Sequence, residues 1–264
     1  MPNLVTRQLV LAAGCFFLLS ATACTNSSSK PGSEGTTISK FAADERAPGM
    51  WQESLMRRES EDGDVRYTIQ VPYTYDGETK VPLIFCLHFG GPVSPWFGRQ
   101  ILTGLVDPAL GDLDAIIVAP DSLNGRWNTP ENEQAIQDLY TEITETYAID
   151  TDRTLLTGFS MGGHGTFHIA AKHPDKFGVA IPVAGNPSDA AKSADWNKVA
   201  LYVIHSRADE VVAIEPTESF VKALKEQGVP VEFAVIDDLT HFQTGRYVPH
   251  LREAAKWVQE QWSQ

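Results

Sequence analysis

From residue 64 onward the chain alternates two hydrophobic rhythms. Val65, Tyr67, Ile69 and Val71 alternate with Arg66, Thr68 and Gln70, a period of two that predicts a strand with one buried face. Residues 51–58 precede it across Glu61-Asp62-Gly63, and the two segments read as an antiparallel hairpin. After a turn at Asp76-Gly77, residues 81–87 and 115–119 are apolar without alternation, which suits central strands buried on both faces. A helical period follows, with Ile136, Leu139, Tyr140, Ile143 and Tyr147 on one face. Thr129 caps that helix, Pro130 fits its first turn, and Glu131 and Glu133 complement its positive end. Leu155-Leu156-Thr157-Gly158-Phe159 is the next strand, and a helix over residues 161–173 stops before Pro174. Strands at 178–183, 199–205 and 231–236 alternate with helices at 215–227, ended by Gly228, and 247–262.

Strands alternating with helices predict an α/β fold, a mostly parallel sheet wrapped on both faces, with the N-terminal hairpin as its antiparallel part. In such sheets ligands bind at the carboxyl ends of the strands. The residues with chemistry fall at those ends. His88-Phe89-Gly90-Gly91 follows one central strand, and Gly158-Phe159-Ser160-Met161-Gly162-Gly163 ends another. Asp209 follows the strand ending at His205, and His241 follows the last strand. Gly-x-Ser-x-Gly after a strand and before a helix predicts a sharp turn with Ser160 at its tip as a nucleophile. Gly158 and Gly162 stand where a Cβ would obstruct close strand-helix packing.

These strings, in the order Ser, Asp, His, resemble the α/β-hydrolase superfamily over residues 64–262, nearest its lid-poor bacterial esterases of the feruloyl-esterase-like and polyhydroxyalkanoate-depolymerase-like kinds. The resemblance implies a three-layer sandwich and a serine esterase that needs no cofactor and forms an acyl-enzyme on a small-molecule or polymer ester. Ser160 needs a base, and His241, in a loop after the last strand, is the candidate. His205, at a strand end, reads as a solvated or packed residue. His164, His168 and His173 share the helix that Ser160 begins and read as solvated or packed. His164 and His168 could share a metal, but His173 lies off their face and no carboxylate joins them there, so no metal site is expected. Asp209 is the candidate to orient His241, with Asp237 and Asp238 as rivals, and Glu210 is expected to point away. The main-chain N–H of Met161 supplies one oxyanion donor and that of Phe89 or Gly90 the second. Relatives carry glycine where this chain has Phe89, which fills space beside the acyl pocket. Trp96, Phe97 and Trp127 lie in rim loops, and Trp96 and Trp127 are candidates for substrate binding. The segment 184–198 is too short for a large lid, although residues 92–110 could assemble one. Two alternatives are a prolyl-oligopeptidase-like peptidase, whose usual N-terminal propeller has no room here, and a non-catalytic binding lipoprotein.

Composition narrows the setting. With a formal net charge of −13 and no cluster of Lys and Arg, a nucleic-acid partner is excluded. Arg7 followed by the apolar residues 9–19 predicts an export signal over residues 1–23. It ends at Ser20-Ala21-Thr22-Ala23-Cys24, which resembles a lipobox with Ala21 in place of the usual leucine, so Cys24 is the candidate lipidation site and the membrane contact a lipid anchor. An ordinary signal peptide, giving a secreted or periplasmic protein, is the alternative, and Cys15 is a less suitable lipid acceptor. Residues 24–49, rich in Ser, Thr, Gly, Lys and Pro, read as a flexible tether, and 50–264 as the catalytic domain. Cys86, the one cysteine beyond the signal region, reads as a buried hydrophobe without a disulfide partner.

Overall fold

A computed structural model describes residues 47–57, 63–92 and 94–263. The expected signal segment, Cys24 and all but the last three residues of the expected tether lie outside the described residues.

Eight strands form one sheet: β1 (Gly49–Leu55), β2 (Val65–Val71), β3 (Val81–Leu87), β4 (Ile116–Pro120), β5 (Ile149–Phe159), β6 (Val179–Val183), β7 (Ala200–Ser206) and β8 (Val231–Ile236). Their spatial order is β1-β2-β4-β3-β5-β6-β7-β8. The β1-β2 and β2-β4 pairs are antiparallel and every other pair is parallel, so the hairpin is an extension of a doubly wound sheet. The helices are α1 (Arg99–Ile101), α2 (Asp107–Leu110), α3 (Pro130–Thr146), α4 (Met161–Lys172), α5 (Asp189–Ser193), α6 (Glu215–Glu226) and α7 (Val248–Gln261). Thr129 caps α3 by accepting the Asn132 N–H, with Pro130 in the first turn as the sequence predicts.

Two apolar layers hold the sheet. On one face Ile136, Leu139, Phe167, Ile169, Phe220 and Leu224 bring α3, α4 and α6 onto the strands. On the other, Ile101, Leu105, Leu110, Leu251, Ala254 and Val258 bring residues 99–110 and α7 onto the opposite side chains of the same strands. This second layer corrects two expectations. Residues 99–110 are not a lid: they run α1, a π-helical turn (Leu102–Val106) and α2, with six apolar side chains in the core. Pro108 cannot donate to the carbonyl four residues before it, which agrees with the wider turn at that point. The same segment reaches the outer face of β2, where Gln70 donates to Asp107; Thr68 on that face is fully buried and Arg66 stays exposed, so the outer face is partly covered rather than solvated throughout.

Parallel pairing aligns the carboxyl ends. Leu87 lies opposite Gly158, Phe159 opposite Val183, and Ser206 opposite Ile236. The loops after β3, β5, β6, β7 and β8 therefore open at one edge of the sheet.

Candidate active site

Ser160 separates β5 from α4, so strand becomes helix across one residue. Its backbone takes φ +57° and ψ −115°, a region that costs a non-glycine residue roughly 1–3 kcal/mol. The surroundings hold it there: Ser160 donates its N–H to the Val183 carbonyl and accepts the His164 N–H, each at 2.9 Å. A Cβ on Gly162 would collide with the carbonyls of Leu87 and His88, and one on Gly158 with the Gly162 backbone. The two glycines thus let α4 start against β3 and β5, as the spacing predicts.

The serine hydroxyl faces His241, with 2.8 Å between Oγ and Nε2. On the far side of the ring, Nδ1 is 2.7 Å from Asp209 Oδ2. The Asp209 side chain is wholly buried, and its other oxygen accepts the N–H groups of Val211 at 3.0 Å and Val212 at 2.7 Å. A carboxylate only accepts, so Nδ1 carries the proton and Nε2 presents its lone pair to Ser160. The Phe159 ring packs 5.2 Å from the imidazole of His241, a buried residue. Asp237 and Asp238 are exposed, Asp237 pairing with Arg207 at 3.4 Å, so neither rival reaches His241.

Glu210 departs from expectation. The two N–H groups that Asp209 accepts fold the chain into a turn, and this turn brings Glu210 Oε2 to 2.9 Å from the main-chain N–H of His241. It points toward the site. His205 is fully buried beneath the same turn, donating from Nε2 to the Val212 carbonyl at 2.9 Å, and burial lowers its pKa.

On the other side of Ser160 the loop after β3 is pinned by His88. Ser122 donates its N–H to His88 Nε2 at 3.0 Å, which leaves the proton on Nδ1, 2.7 Å from the Phe89 carbonyl. The Trp127 indole donates to the His88 carbonyl at 2.9 Å, and that carbonyl faces Gly162 at the start of α4. Phe97 and Trp127 close edge-on against the fully buried His88 ring, and burial lowers the His88 pKa. Trp127, read from the sequence as a rim residue, is 1% exposed and packs against Gly165 of α4. It is core, because its indole supplies the donor that the buried His88 carbonyl needs. Phe97 is likewise buried. Trp96 is half-buried at φ +66°, its N–H held at 2.7 Å by Asp121, which also accepts the Gly98 N–H at 2.9 Å. The roles of His88 and Asp121 went unread in the sequence; a polar residue immediately after each apolar strand was the available signal.

The histidines of α4 are also accounted for. His164 accepts the Asn186 N–H at Nδ1. His168 and His173 both face Glu133 of α3, at 3.5 and 2.9 Å, whereas His164 turns to the Asn186 main chain. Among the described residues no group of three or more His, Cys, Asp or Glu side chains is arranged for a metal ion.

The Esterase family model, described as Putative esterase, matches residues 59–215, and the chain belongs to that family. A second model, the Prolyl oligopeptidase family, matches residues 186–264. Among curated proteins, the chain is 27% identical over 161 residues to a probable feruloyl esterase C of Aspergillus terreus, covering 56% of each. It is 29% identical over 171 residues to that of Aspergillus niger, covering 59% of this chain and 60% of the relative. The chain thus spans little more than half the length of these relatives. Among solved structures, a thermostable esterase superposes with a TM-score of 0.67 at 24% identity, over 80% of this chain and 62% of the other. A ferulic acid esterase superposes at 0.66 and 19% identity, over 82% and 98%. These two likenesses establish the fold.

Proposed function

We propose that the chain is a serine hydrolase of carboxylic esters, with Ser160 as nucleophile, His241 as general base and then acid, and Asp209 holding the imidazole. The observation that carries this reading is the continuous hydrogen-bonded path Ser160–His241–Asp209, set at the carboxyl edge of the sheet on a strained strand-to-helix turn. As Ser160 Oγ bonds to the ester carbon, its proton passes to Nε2, and the imidazolium returns it to the leaving alcohol oxygen. Water activated by the same nitrogen then releases the acid from the acyl-enzyme.

The oxyanion is met by two main-chain donors. Met161 opens α4, so its N–H has no partner within the helix and adds to the positive end of the helix dipole. For the second donor we favour Gly90 over Phe89. The His88 carbonyl faces α4, and across a trans peptide the Phe89 N–H points the other way. The Phe89 carbonyl is turned to His88 Nδ1, which frees the Gly90 N–H on the opposite side, and Gly90 lies across from Met161.

Similarity to feruloyl esterases makes esters of aromatic acids the first substrate class to test. The experiment compares p-nitrophenyl acetate with methyl ferulate, using wild type and Ser160→Ala. Turnover should fall by roughly 10⁴-fold or more in the variant, and near-wild-type turnover by folded Ser160→Ala would end the reading. Peptide hydrolysis is a second reading, supported by the prolyl-oligopeptidase match over 186–264, and anilide substrates with matched acyl groups separate the two. Export with lipidation at Cys24 completes the proposal: incorporation of an alkyne fatty acid that is lost in Cys24→Ala would support it. No described helix is long and apolar enough to cross a membrane.

A further inference from the structure

The chain leaving β7 takes hold of His241 at two places. Asp209 accepts from the ring Nδ1 at 2.7 Å, and the very next residue, Glu210, accepts from the main-chain N–H at 2.9 Å. The loop around His241 otherwise closes locally: Gln243 donates its N–H to the Thr240 carbonyl at 3.2 Å, and the Thr240 N–H returns to the Gln243 side chain at 3.0 Å. Such a self-contained turn has no main-chain pairing of its own to β7. Asp209 and the Phe159 ring hold the imidazole at its ring end but leave freedom at its Cα end, which the main chain of this turn carries. Fixing the Cα end as well removes this freedom and sets where Nε2 meets Ser160.

Glu210 has no competing role that would explain it. The residue is exposed, so it is not core, and no Lys or Arg among the described residues pairs with it. The carboxylate of an exposed glutamate spends little energy accepting one N–H, and charge strengthens that bond over a neutral acceptor. We infer that Glu210 is a positioning residue for His241, an inference that rests on the hydrolase reading above. It acts through the His241 main chain and touches neither substrate nor the reacting atoms. Misplacement of a reacting group by about 1 Å can cost on the order of 100-fold in rate; with Asp209 still in place, a loss near a tenth of that is expected.

The test uses the full chain with Glu210→Ala and Glu210→Gln, each checked by circular dichroism. Two readouts are taken: the rate of Ser160 labelling by a fluorophosphonate, and kcat and KM on p-nitrophenyl acetate. Glu210→Ala should lower the labelling rate and kcat together by roughly 10-fold with KM within about twofold. Glu210→Gln keeps an acceptor oxygen at the same reach and should recover to within about threefold of wild type. Labelling of Glu210→Ala at the wild-type rate would overturn the inference, as would a Glu210→Gln no faster than the alanine variant. If the alanine variant folds poorly, Glu210→Met, of similar length but without an acceptor oxygen, takes its place with the same expected loss. A wild-type protein that the probe does not label would overturn the hydrolase reading itself, and the Glu210 role with it.

Discussion

Gly162 lies so close beneath Leu87 that a methyl group on its Cα would occupy the space of the Leu87 carbonyl oxygen. That carbonyl is backbone at the end of a central strand and cannot swing aside. Gly162→Ala must therefore push α4 away from β3, and overpacking of this kind costs about 1–3 kcal/mol. For a domain of this size we expect Tm to fall by roughly 2–12 °C. Gly104, with open space around its Cα, is the control. Gly104→Ala should leave Tm unchanged or slightly raised, and equal losses in the two variants would refute the steric account.

The wholly buried carboxylate of Asp209 divides its work, one oxygen on His241 and the other on two N–H groups of its own turn. Asp209→Asn can keep the turn with its amide oxygen, which leaves the NH₂ group facing His241 Nδ1. That nitrogen must then accept, the proton moves to Nε2, and in the proposed mechanism Ser160 loses its base. We expect kcat on p-nitrophenyl acetate to drop by about 10⁴-fold with the circular dichroism spectrum unchanged. A loss below about tenfold would show that the carboxylate does not set the tautomer.

Most of this arrangement is legible in the sequence. Regular alternation in β2, unbroken apolar runs in β3 and β4, and the capping signals at Thr129 and Pro130 reflect local rules that tertiary packing only reinforces. The turn at Ser160 is legible from its two glycines, although the backbone that Gly162 meets belongs to Leu87 and His88, far away in sequence. What escaped was decided by distant partners. Residues 99–110 read as material for a lid because a π-helical turn and Pro108 break their helical period, yet the apolar layer they share with α7 settles their place. Trp127 read as a rim aromatic because nothing nearby in sequence shows that the His88 carbonyl needs its indole. Glu210 was set aside because the direction of a side chain after a strand depends on the turn that follows, here the one closed by Asp209.

Phe242 is 79% exposed, with its ring 5.7 Å from that of His241. An exposed aromatic contributes little to stability, so Phe242→Ala should leave Tm within the range of neutral surface changes. In the proposed mechanism His241 returns the proton to the leaving alcohol, which assigns the neighbouring ring to the alcohol side of the ester. Aromatic contacts of this kind are worth about 0.5–1.5 kcal/mol. We expect KM for p-nitrophenyl acetate to rise roughly 2–10-fold, with the methyl ester of the same acid unaffected. Equal effects on both esters would place the ring elsewhere.

Two fully buried histidines give the fold a pH dependence that can be signed. Burial lowers the pKa of His88 and of His205 from the ordinary 6.5. The neighbouring Asp121 pulls His88 partly back, as Asp209 does His205, while His241 and His164 add to the lowering at His205. In the unfolded chain both rings titrate near 6.5, so between that pH and their lower folded values the unfolded state binds more protons. Stability then rises with pH through this window: it is complete above pH 6.5 and is lost as pH falls toward the folded values. Carboxylates titrate mainly lower, near 4, and about 0.3 M salt screens the net charge of −13 so that its relief at lower pH does not mask the effect. We expect Tm to be lower at pH 5.5 than at pH 7.5, and the difference to shrink in His205→Gln. The glutamine keeps a donor for the Val212 carbonyl but no titrating ring. A Tm that is flat or higher at pH 5.5 would mean that the two rings are not held neutral by the fold.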